Sequence, residues 1–509
     1  MNRRDFFTKS ALMGGASVGL SNLVSHSAFA GTRELNEGRP LPIPAVIEPG
    51  TGAKGQLDAI RGTTEFIAGI QTQTQGFNQS YLGPVIRFKR GQSATMSVSN
   101  KTDALITAHW HGMHVEGAVD GGPQTAFAPG QSRSPELEID QPASTLWYHS
   151  HVHGKTADQV YAGLAGMIIV DDPDAPDSGL PSAYGVDDIP IIVQDRAFDE
   201  SGQLLYIKRG PSLMHGFRAG EILVNGAVRP TASVPKGMVR LRLLNASNAR
   251  IYNFTFDDDR VFHQVGTDGG LLPKPLPKTS LMLAPAERAE IIVDFADEKS
   301  VRLLSTPDAN DPMGGGMMSR MMGGNVKSPE AVLDDGRFEV MGFTVDSSRS
   351  ANLTQLPSTL AGSPSRPDWG EPQVHREFSL DMHVGGGGMM SRMMGRNGGM
   401  GIMGINGQSM DMAVINAEAR LGETELWRIT SSEMAHPFHI HGTSFQVLSH
   451  NDMPMAYEDV GLKDVFLVDG EAELLVKHVR KADSKTPFMY HCHILEHEDA
   501  GMMGQFTVS

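Results

Sequence analysis

Short alternating runs of apolar and polar residues follow one another along most of the chain, and glycine, proline, asparagine and aspartate separate them. Alternation with a period of two is typical of strands that bury one face, and the intervening residue types form turns. The pattern therefore predicts an all-β fold made of many short strands.

Three stretches share one pattern, in which a glycine opens an alternating run. They are GPVIRFKRGQSATMSVSN (83–100), SVPKGMVRLRLLNAS (233–247) and EARLGETELWRITS (418–431). Weak self-similarity at intervals of about a domain length predicts three related β-sandwiches instead of a short-period repeat. A length of 509 residues agrees with about three domains.

Two polar, proline-containing stretches predict the domain boundaries. They are DDPDAPDSGLPSAYG (171–185) and the longer, low-complexity stretch at 347–373. We therefore expect domains at 31–175, 186–346 and 374–509.

The first thirty residues have the features of an export signal. MNRRDFF supplies paired arginines, a short apolar stretch follows, and AFA precedes Gly31 as a small-residue cleavage site. The arginine pair followed by Asp-Phe-Phe resembles a bacterial twin-arginine signal, although it could be a chance pair in an ordinary export signal. We expect 1–30 to be a signal peptide, the twin-arginine export machinery to be a partner, and the mature protein to be periplasmic.

Charge and hydropathy limit the partners of the chain. The formal net charge of −16 disfavours binding to nucleic acid and to anionic membranes. The apolar stretch near the N-terminus is short and interrupted, and no other segment is long and apolar enough to span a bilayer. We expect no nucleic-acid partner, no stable membrane insertion and a monomer.

Four short motifs hold ten of the 19 histidines: HWHG, WYHSH, HPFHIHG and HCHILEH. Each contains one His-x-His pair, and the pairs are His109 with His111, His149 with His151, His439 with His441, and His491 with His493. A single pair is weak support for a metal site, but four pairs divided evenly between the first and third predicted domains are hard to attribute to chance. Residues i and i+2 of a strand share a face, so each pair can present two imidazoles to a small metal cluster.

Cys492, the only cysteine, lies between two of these histidines. It cannot form an internal disulfide, and its neighbours argue against an inert buried thiol. By alternation it points away from His491 and His493, toward His436 and His497, with Met502 ten residues further along. A His₂Cys set with a weak axial methionine is the blue-copper arrangement, so Cys492 would join two metal sites.

The four motifs, in this order, resemble those of the multicopper oxidase family. The resemblance implies three cupredoxin-like Greek-key β-sandwich domains, four copper ions, and four one-electron oxidations coupled to reduction of dioxygen to two waters. It assigns His109 and His439 to the type 2 copper. It assigns the type 3 pair to His111, His149, His151, His441, His491 and His493, and the type 1 copper to His436, Cys492, His497 and Met502.

Dioxygen reduction consumes protons, and two acids beside the motifs resemble the proton-relay acids of the family. Asp120 follows HWHG, and Glu498 follows His497 directly. Asp120 could instead be a turn residue, and Glu498 could simply orient a ligand.

Two methionine- and glycine-rich segments, 311–324 and 385–404, share the near-copy GGGMMSRMMG. Thioethers are soft ligands that select Cu(I), although flexible low-complexity sequence is an alternative explanation. The segments resemble those of bacterial cuprous oxidases within the family, which oxidise Cu(I) to Cu(II) in periplasmic copper detoxification. The candidate substrate-copper residues are Met434, Glu433, Asp381 and Met382, of which Met434 fits a family ligand, while Ser432 and Leu380 stand where the family has an aspartate and a methionine.

Two other functions compete with cuprous oxidation. A laccase-like oxidase of phenols, Fe(II) or Mn(II) would share the same copper ligands, and a non-catalytic copper-buffering protein would use the methionines alone. A copper-free division protein of the same fold would have lost the ligands. We expect dioxygen and either Cu(I) or a small reducing substrate as the reactants.

Overall fold

The computed structural model describes residues 35–509, except 36, 51–53, 175–178, 209–210, 307–335, 354, 365 and 383–402. The predicted signal peptide 1–30 and the segment 311–324 lie outside the described residues, as does 385–402 of the segment 385–404. Residues Glu34–Ser509 form one compact unit. The longest helix in the described ranges has seven residues, so none of these helices could cross a bilayer.

The described strands form three groups along the chain. The first group contains two sheets, ordered β1-β4-β9-β8 and β3-β2-β5-β6, with β7 paired to β5. Its strands are β1 Val46–Ile47, β2 Gly55–Ile67, β3 Ile70–Phe77, β4 Val85–Lys89, β5 Gln92–Asn100, β6 Ser132–Arg133, β7 Glu136–Ile139, β8 Ser144–His149 and β9 Ala165–Asp171.

The middle group also contains two sheets, ordered β12-β11-β10-β14-β19-β16-β17 and β13-β21-β20-β15-β18. Its strands are β10 Asp188–Arg196, β11 Glu221–Val224, β12 Ala227–Val228, β13 Thr231–Lys236, β14 Met238–Asn245, β15 Tyr252–Phe256, β16 Phe262–Thr267, β17 Gly270–Lys278, β18 Leu281–Leu283, β19 Arg288–Asp294, β20 Val301–Ser305 and β21 Phe338–Ser350.

The third group forms one connected sheet with the main order β24-β31-β30-β25-β29-β26-β27. Its strands are β22 Val374–Asp381, β23 Gly404–Ile405, β24 Ala417–Ala419, β25 Thr424–Ile440, β26 Phe445–His450, β27 Met453–Pro454, β28 Leu462–Lys463, β29 Val465–Lys477, β30 Phe488–Cys492 and β31 Met503–Val508.

Strand β25 explains why the third group is continuous. Its first half pairs with β22, and its second half pairs with β30, while β29 pairs with both halves. The register shifts between Ser431 and His436, where an irregularity bends the strand. A single strand thus connects β22 with β30 in one sheet, and the register shift ends at His436, a predicted ligand.

The glycine of each repeated sequence stretch lies in the turn between two strands. Gly91 separates β4 from β5 and Gly237 separates β13 from β14, and in both cases the two strands belong to different sheets. Gly422 lies between β24 and β25. All three have positive φ, between 82° and 111°, which glycine adopts without steric cost.

Each strand group has its own hydrophobic core, and the predicted all-β fold is confirmed. The alternation seen in the sequence produces these cores; in β5, for example, every second side chain is buried. The predicted boundaries 31–175, 186–346 and 374–509 remain predictions. The described helices are short and connect strands: α1 Gly117–Asp120, α2 Thr156–Ala162, α3 Pro211–His215, α4 Tyr457–Val460 and α5 Leu495–Asp499.

Candidate metal centre

Strands β25 and β30 both carry site residues on two faces. In their antiparallel pairing His439 lies opposite His491, and Phe438 lies opposite Cys492. Directly opposed residues share a face, and so do residues two apart. His436 therefore faces the thiol of Cys492, while His439 faces His491 on the other side of the sheet.

A cluster of eight histidines forms where the first strand group meets the third; we call it the histidine cluster. The rings of His111 and His439 stack with centroids 3.8 Å apart, and those of His109 and His441 stack at 4.0 Å. The Nε2 atom of His491 lies 3.1 Å from Nε2 of His441 and 3.3 Å from Nε2 of His151. All eight are buried: His109, His111, His149, His151, His439, His441, His491 and His493.

Hydrogen bonds to acceptor-only groups fix which ring nitrogen faces inward. Nδ1 of His109 lies 3.0 Å from the carbonyl oxygen of Asp120, and Nδ1 of His439 lies 2.7 Å from that of Asp464. A carbonyl only accepts, so Nδ1 carries the hydrogen and Nε2 keeps its lone pair. His149 and His491 likewise donate from Nδ1 to backbone carbonyls.

His111 has the opposite orientation. Its Nε2 atom lies 3.2 Å from the carboxylate Oδ1 of Asp464. Its Nδ1 atom is buried and has no hydrogen-bond partner among the described residues. His111 therefore offers Nδ1, where His109, His149 and His439 offer Nε2.

The histidine cluster fits copper ions on the chemistry of its donors. Within the described ranges, the buried inward nitrogens of His109, His111, His149 and His439 have no hydrogen-bond partner, and neither nitrogen of His493 has one. Unpartnered buried polar atoms are costly unless a metal or water satisfies them. Three sets of three cluster histidines bring their ligand atoms within 4.8 Å of one another. Neutral imidazole suits Cu, Zn, Fe and Ni.

Burial keeps these imidazoles neutral. It lowers the pKa of His491 to about 3 and the pKa values of His111, His149, His151, His439, His441 and His493 well below the usual value, with repulsion from neighbouring histidines adding to the effect. A neutral imidazole is the form that binds a metal.

The second cluster contains His436, Cys492 and His497; we call it the thiol cluster. Sγ of Cys492 lies 3.3 Å from Nδ1 of His436 and 3.7 Å from Nδ1 of His497, and the two Nδ1 atoms lie 3.2 Å apart. Burial raises the pKa of the Cys492 thiol well above its usual value, so a cation is needed to hold the thiolate there.

Met502 extends the strand pairing beside this thiol. Its carbonyl accepts a hydrogen bond from the Cys492 amide at 3.1 Å, one step beyond the pairing of His491 with Met503. The Met502 side chain is buried in the same core as Cys492. One soft thiolate, two imidazoles and a thioether fit a blue copper.

The two predicted acids both contact the histidine cluster. Oδ2 of Asp120 lies 2.8 Å from Nδ1 of His441 and 3.3 Å from Nδ1 of His109. The Glu498 carboxylate lies between two rings, 3.4 Å from Nδ1 of His151 and 3.3 Å from Nδ1 of His491. Burial, reinforced by the charge of Asp499, raises the pKa of Glu498 well above its usual value.

The predicted substrate-copper residues are less closely grouped. Met382 is only 3% exposed and packs in the third hydrophobic core, and Met434 is half-buried against that core. Oδ2 of Asp381 accepts hydrogen bonds from Ser379 Oγ and the Gly407 amide, at 2.9 and 2.6 Å. Asp381 and Glu433 belong to none of the groups of three or more His, Cys, Asp or Glu ligands in the described part of the chain.

Two residues at the histidine cluster were missed by sequence reasoning. Asp464 contacts His111 and His439, and Trp147 lies with its ring centroid 4.2 Å from that of His149. Asp464 has no motif of its own, because strand pairing and not local sequence brings it to the cluster. Trp147 could have been suspected from its place in WYHSH, two residues before His149 and therefore on the same face.

Comparison with known proteins agrees with this geometry. Family models described as multicopper oxidase match residues 59–175 and 382–509. The cell division protein FtsP of Xenorhabdus nematophila is 34% identical over 514 residues, covering 100% of this chain and 99% of that protein. The multicopper oxidase mco of Staphylococcus aureus is 32% identical over 478 residues, covering 92% of each.

A solved structure is also similar over most of the chain. It is the laccase-like multicopper oxidase CueO from the lignin-degrading bacterium Ochrobactrum sp., described as having oxidase activity towards lignin model compounds and lignosulfonate. The TM-score is 0.81 at 39% identity, covering 92% of this chain and 100% of that one. The protein described here belongs to the multicopper oxidase family of copper-dependent oxidoreductases.

Proposed function

We propose that this protein holds four copper ions and oxidises Cu(I) to Cu(II) in the periplasm, with dioxygen as the electron acceptor. The observation that carries the proposal is that β30 joins two clusters: Cys492 lies in the thiol cluster, and the adjacent His491 and His493 lie in the histidine cluster. A single cuprous ion supplies one electron, whereas dioxygen needs four, and coupled one-electron sites reconcile these numbers.

The copper assignment follows the resemblance to the multicopper oxidase family. His436, Cys492, His497 and Met502 would hold the type 1 copper. His109 and His439 would hold the type 2 copper, and the remaining six cluster histidines would hold the type 3 pair. When bound, the copper ions supply one-electron redox chemistry and the site of dioxygen reduction.

The chain provides two short routes between the clusters. The backbone links Cys492 covalently to His491 and His493. In addition, the carbonyl oxygen of Cys492 accepts a hydrogen bond from Nδ1 of His491 at 3.0 Å. Because the strand and its neighbours are fully packed, the separation between the clusters is held constant.

Glu498 and Asp120 are suited to moving protons at the ligand edges. Burial raises the pKa of Glu498 well above its usual value and so favours its protonated form, and its carboxyl group lies 3.4 Å from His151 Nδ1. The carboxylate of Asp120 accepts the Nδ1–H of His441 and orients that ring. Water formation consumes protons, and a carboxyl group at the cluster can supply them.

Two features favour Cu(I) as the electron donor. The soft thioethers of segments 311–324 and 385–404 match Cu(I), as does the half-buried Met434 two residues before His436. The outer edge of His497 is also covered, because its Nε2 atom lies 3.1 Å from the Met214 carbonyl of α3. A bulky phenol would have to displace α3 to reach this ring.

A laccase-like activity is the second candidate. It is favoured by the 39% identity to the Ochrobactrum enzyme, which is described as acting on lignin model compounds. Both candidate activities would use the same two clusters. They would differ only at the surface where the reducing substrate passes its electron to the thiol cluster. The proposed periplasmic location and twin-arginine route rest on the arginine pair, apolar stretch and AFA of residues 1–30.

Copper content and visible absorption of the exported protein test what both candidate activities require, which is copper bound at the two clusters. We expect four coppers per chain and an intense blue absorption, with the blue absorption lost in Cys492→Ser. A wild type that stays colourless after addition of copper would refute the oxidase and favour a role in cell division, after which the FtsP relatives are named.

Steady-state oxidation of Cu(I) and of a phenol, with and without 385–404, separates the two substrates. Loss of cuprous activity with a gain in phenol turnover on deletion supports the cuprous oxidase. Unchanged cuprous activity contradicts a role for this segment.

A further inference from the structure

A buried ion pair, which we call the Asp464–Arg288 pair, lies against the histidine cluster. Arg288 begins β19 in the middle strand group, and Asp464 lies between β28 and β29 in the third. Nη1 and Nη2 of Arg288 lie 2.7 and 2.6 Å from Oδ1 and Oδ2 of Asp464, and both residues are fully buried. The pair is bidentate, which fixes the carboxylate in position as well as in charge.

Asp464 contacts two candidate copper ligands with different groups. Its carboxylate Oδ1 lies 3.2 Å from Nε2 of His111, and its backbone carbonyl accepts from Nδ1 of His439 at 2.7 Å. These two imidazoles stack with centroids 3.8 Å apart and planes 10° apart. The hydrogen bonds of Asp464 therefore determine which ring nitrogen of His111 and which of His439 faces the cluster.

The two rings present different nitrogens to the cluster. His439 donates from Nδ1 and presents Nε2, while His111 donates from Nε2 and presents Nδ1. The Asp464 carboxylate oxygen Oδ1 can accept a hydrogen bond from Nε2–H of His111. It therefore favours the tautomer of His111 that has its lone pair on Nδ1. The reversed ring of His111 thus has a specific cause in the position of Asp464.

Arg288 cannot easily release the carboxylate, because all five of its N–H groups have acceptors. Nε donates to the Thr145 carbonyl at 2.9 Å. Nη1 donates to the Ala286 carbonyl, and Nη2 to the Asp268 carbonyl, both at 3.1 Å. With the two bonds to Asp464, the guanidinium is saturated.

The glycine of HWHG provides independent support. Gly112 follows His111 directly and has a φ of 83°. A Cβ at this position would lie 2.5 Å from Oδ2 of Asp464 and 2.9 Å from Nη2 of Arg288. A glycine at position 112 leaves room for the Asp464–Arg288 pair beside His111. The presence of this pair therefore explains the glycine of the HWHG motif.

We propose that Asp464, held by Arg288, is a positioning residue that sets His111 with Nδ1 toward the cluster. The middle strand group then contributes to dioxygen chemistry through Arg288, although it supplies no candidate copper ligand within the described ranges. The inference rests on the proposed function, because it concerns the ligands of the proposed copper cluster. The alternative is that Asp464 is itself a ligand, since it forms a group with His111 and His439 within 4.8 Å.

A crystal structure of the copper-loaded wild-type protein gives the direct test. We expect copper on Nδ1 of His111, with the Asp464 carboxylate still bonded to Nε2 and to Arg288. Copper on Nε2 of His111, or on the Asp464 carboxylate, overturns the proposal.

Two variants test the consequence: Asp464→Asn replaces one oxygen facing Arg288 by a donor, and Arg288→Lys removes the bidentate clamp. We expect both to retain the blue absorption of the thiol cluster. Copper binding at the histidine cluster should weaken about 10–100-fold, with an altered EPR spectrum of the type 2 copper.

Glu290→Gln is the matched control. Glu290 is a buried carboxylate in the same strand as Arg288, paired with Arg240 and Arg242, and it contacts none of the candidate ligands in the described part of the chain. This variant should keep wild-type copper content and spectra. Wild-type behaviour of Asp464→Asn and Arg288→Lys, or an equal loss in Glu290→Gln, overturns the positioning role. A wild type that binds no copper would instead refute the proposed function.

Discussion

At the scale of single residues, burial determines the charge state of the candidate site. Glu498 is a carboxyl group whose pKa burial raises, and it lies against histidines whose pKa values burial lowers. Burial therefore favours the protonated form of the acid and the unprotonated form of the bases. This combination leaves imidazole lone pairs available to metals and places an acid that can hold a proton 3.3–3.4 Å from two of the rings.

Glu498→Gln tests this proton store. Glutamine preserves the size of the side chain but cannot release and regain a proton, so we expect dioxygen reduction to slow by about 10²–10⁴-fold. The blue absorption should persist, because the thiol cluster is unchanged. Stopped-flow measurement of reoxidation by dioxygen after full reduction checks the prediction.

Glu496→Gln is the matched control on the same helix, α5. Glu496 is buried, and its carboxylate bonds Tyr206 and Asn248 at 2.5 and 3.0 Å instead of a cluster histidine. Its reoxidation rate should stay within about threefold of wild type. A Glu498→Gln rate in that same range would contradict a proton-supplying role.

His114 gives a residue-scale prediction about stability. Burial lowers its pKa from 6.5 to about 4, and its Nε2 atom lies 2.8 Å from Ser444 Oγ across the first and third strand groups. The folded state therefore binds this proton less readily than the unfolded state. The contribution of neutral His114 to the free energy of unfolding is complete above about pH 6.5. This contribution falls by up to about 3 kcal/mol as the pH approaches 4.

Denaturant titrations of wild type and His114→Gln at about pH 7 and pH 4.5 measure this difference. The variant should lose less stability between the two pH values than wild type does. The exposed His375 is the control, and His375→Gln should show the wild-type pH dependence. Identical pH dependence in His114→Gln and wild type would contradict the assignment.

At the scale of elements, strand alternation explains both what the sequence could predict and where it failed. The His-x-His spacing correctly grouped residues 109, 111, 149 and 151 with 439, 441, 491 and 493, since alternate residues share a face. Alternation also explains why β25 serves two clusters, since His436 and His439 are three residues apart and lie on opposite faces. It could not predict the reversed ring of His111, which depends on Asp464 and Arg288 from distant strands.

Helix α3 leads to a prediction about substrate access. The Met214 carbonyl covers the edge of His497, so replacing residues 211–215 by two glycines should expose that ring. We expect the KM for a bulky phenol to fall several-fold while the blue absorption remains. Steady-state phenol oxidation provides the measurement.

Met214→Ala is the control for this change, because it keeps the backbone carbonyl and removes only the thioether. It should leave the phenol KM unchanged. An unchanged KM after shortening of α3 would mean that phenols do not reach His497 along this path.

At the scale of the whole molecule, the three strand groups have different roles. The first and third supply every candidate ligand found in the described ranges, and the middle group supplies Arg288 and α3. The sequence showed that a glycine opens each repeated run, and the positive φ of Gly91, Gly237 and Gly422 explains that choice of residue. The sequence could not predict that the third group forms one continuous sheet, because this continuity results from the pairing of β29 with both halves of β25.

Copper binding should therefore stabilise the molecule as a whole, because the ligands of the histidine cluster come from residues 109–151 and 439–493 in two strand groups. A ligand that binds only the folded state adds about 2.7 kcal/mol of stability at a free concentration 100 times its Kd. We expect calorimetry to show a higher unfolding temperature for copper-loaded than for chelator-treated protein, and recovery on reloading. Cys492→Ser should retain most of this increase, since it removes a ligand from the thiol cluster only. Equal unfolding temperatures with and without copper would contradict a cluster that joins the first and third groups.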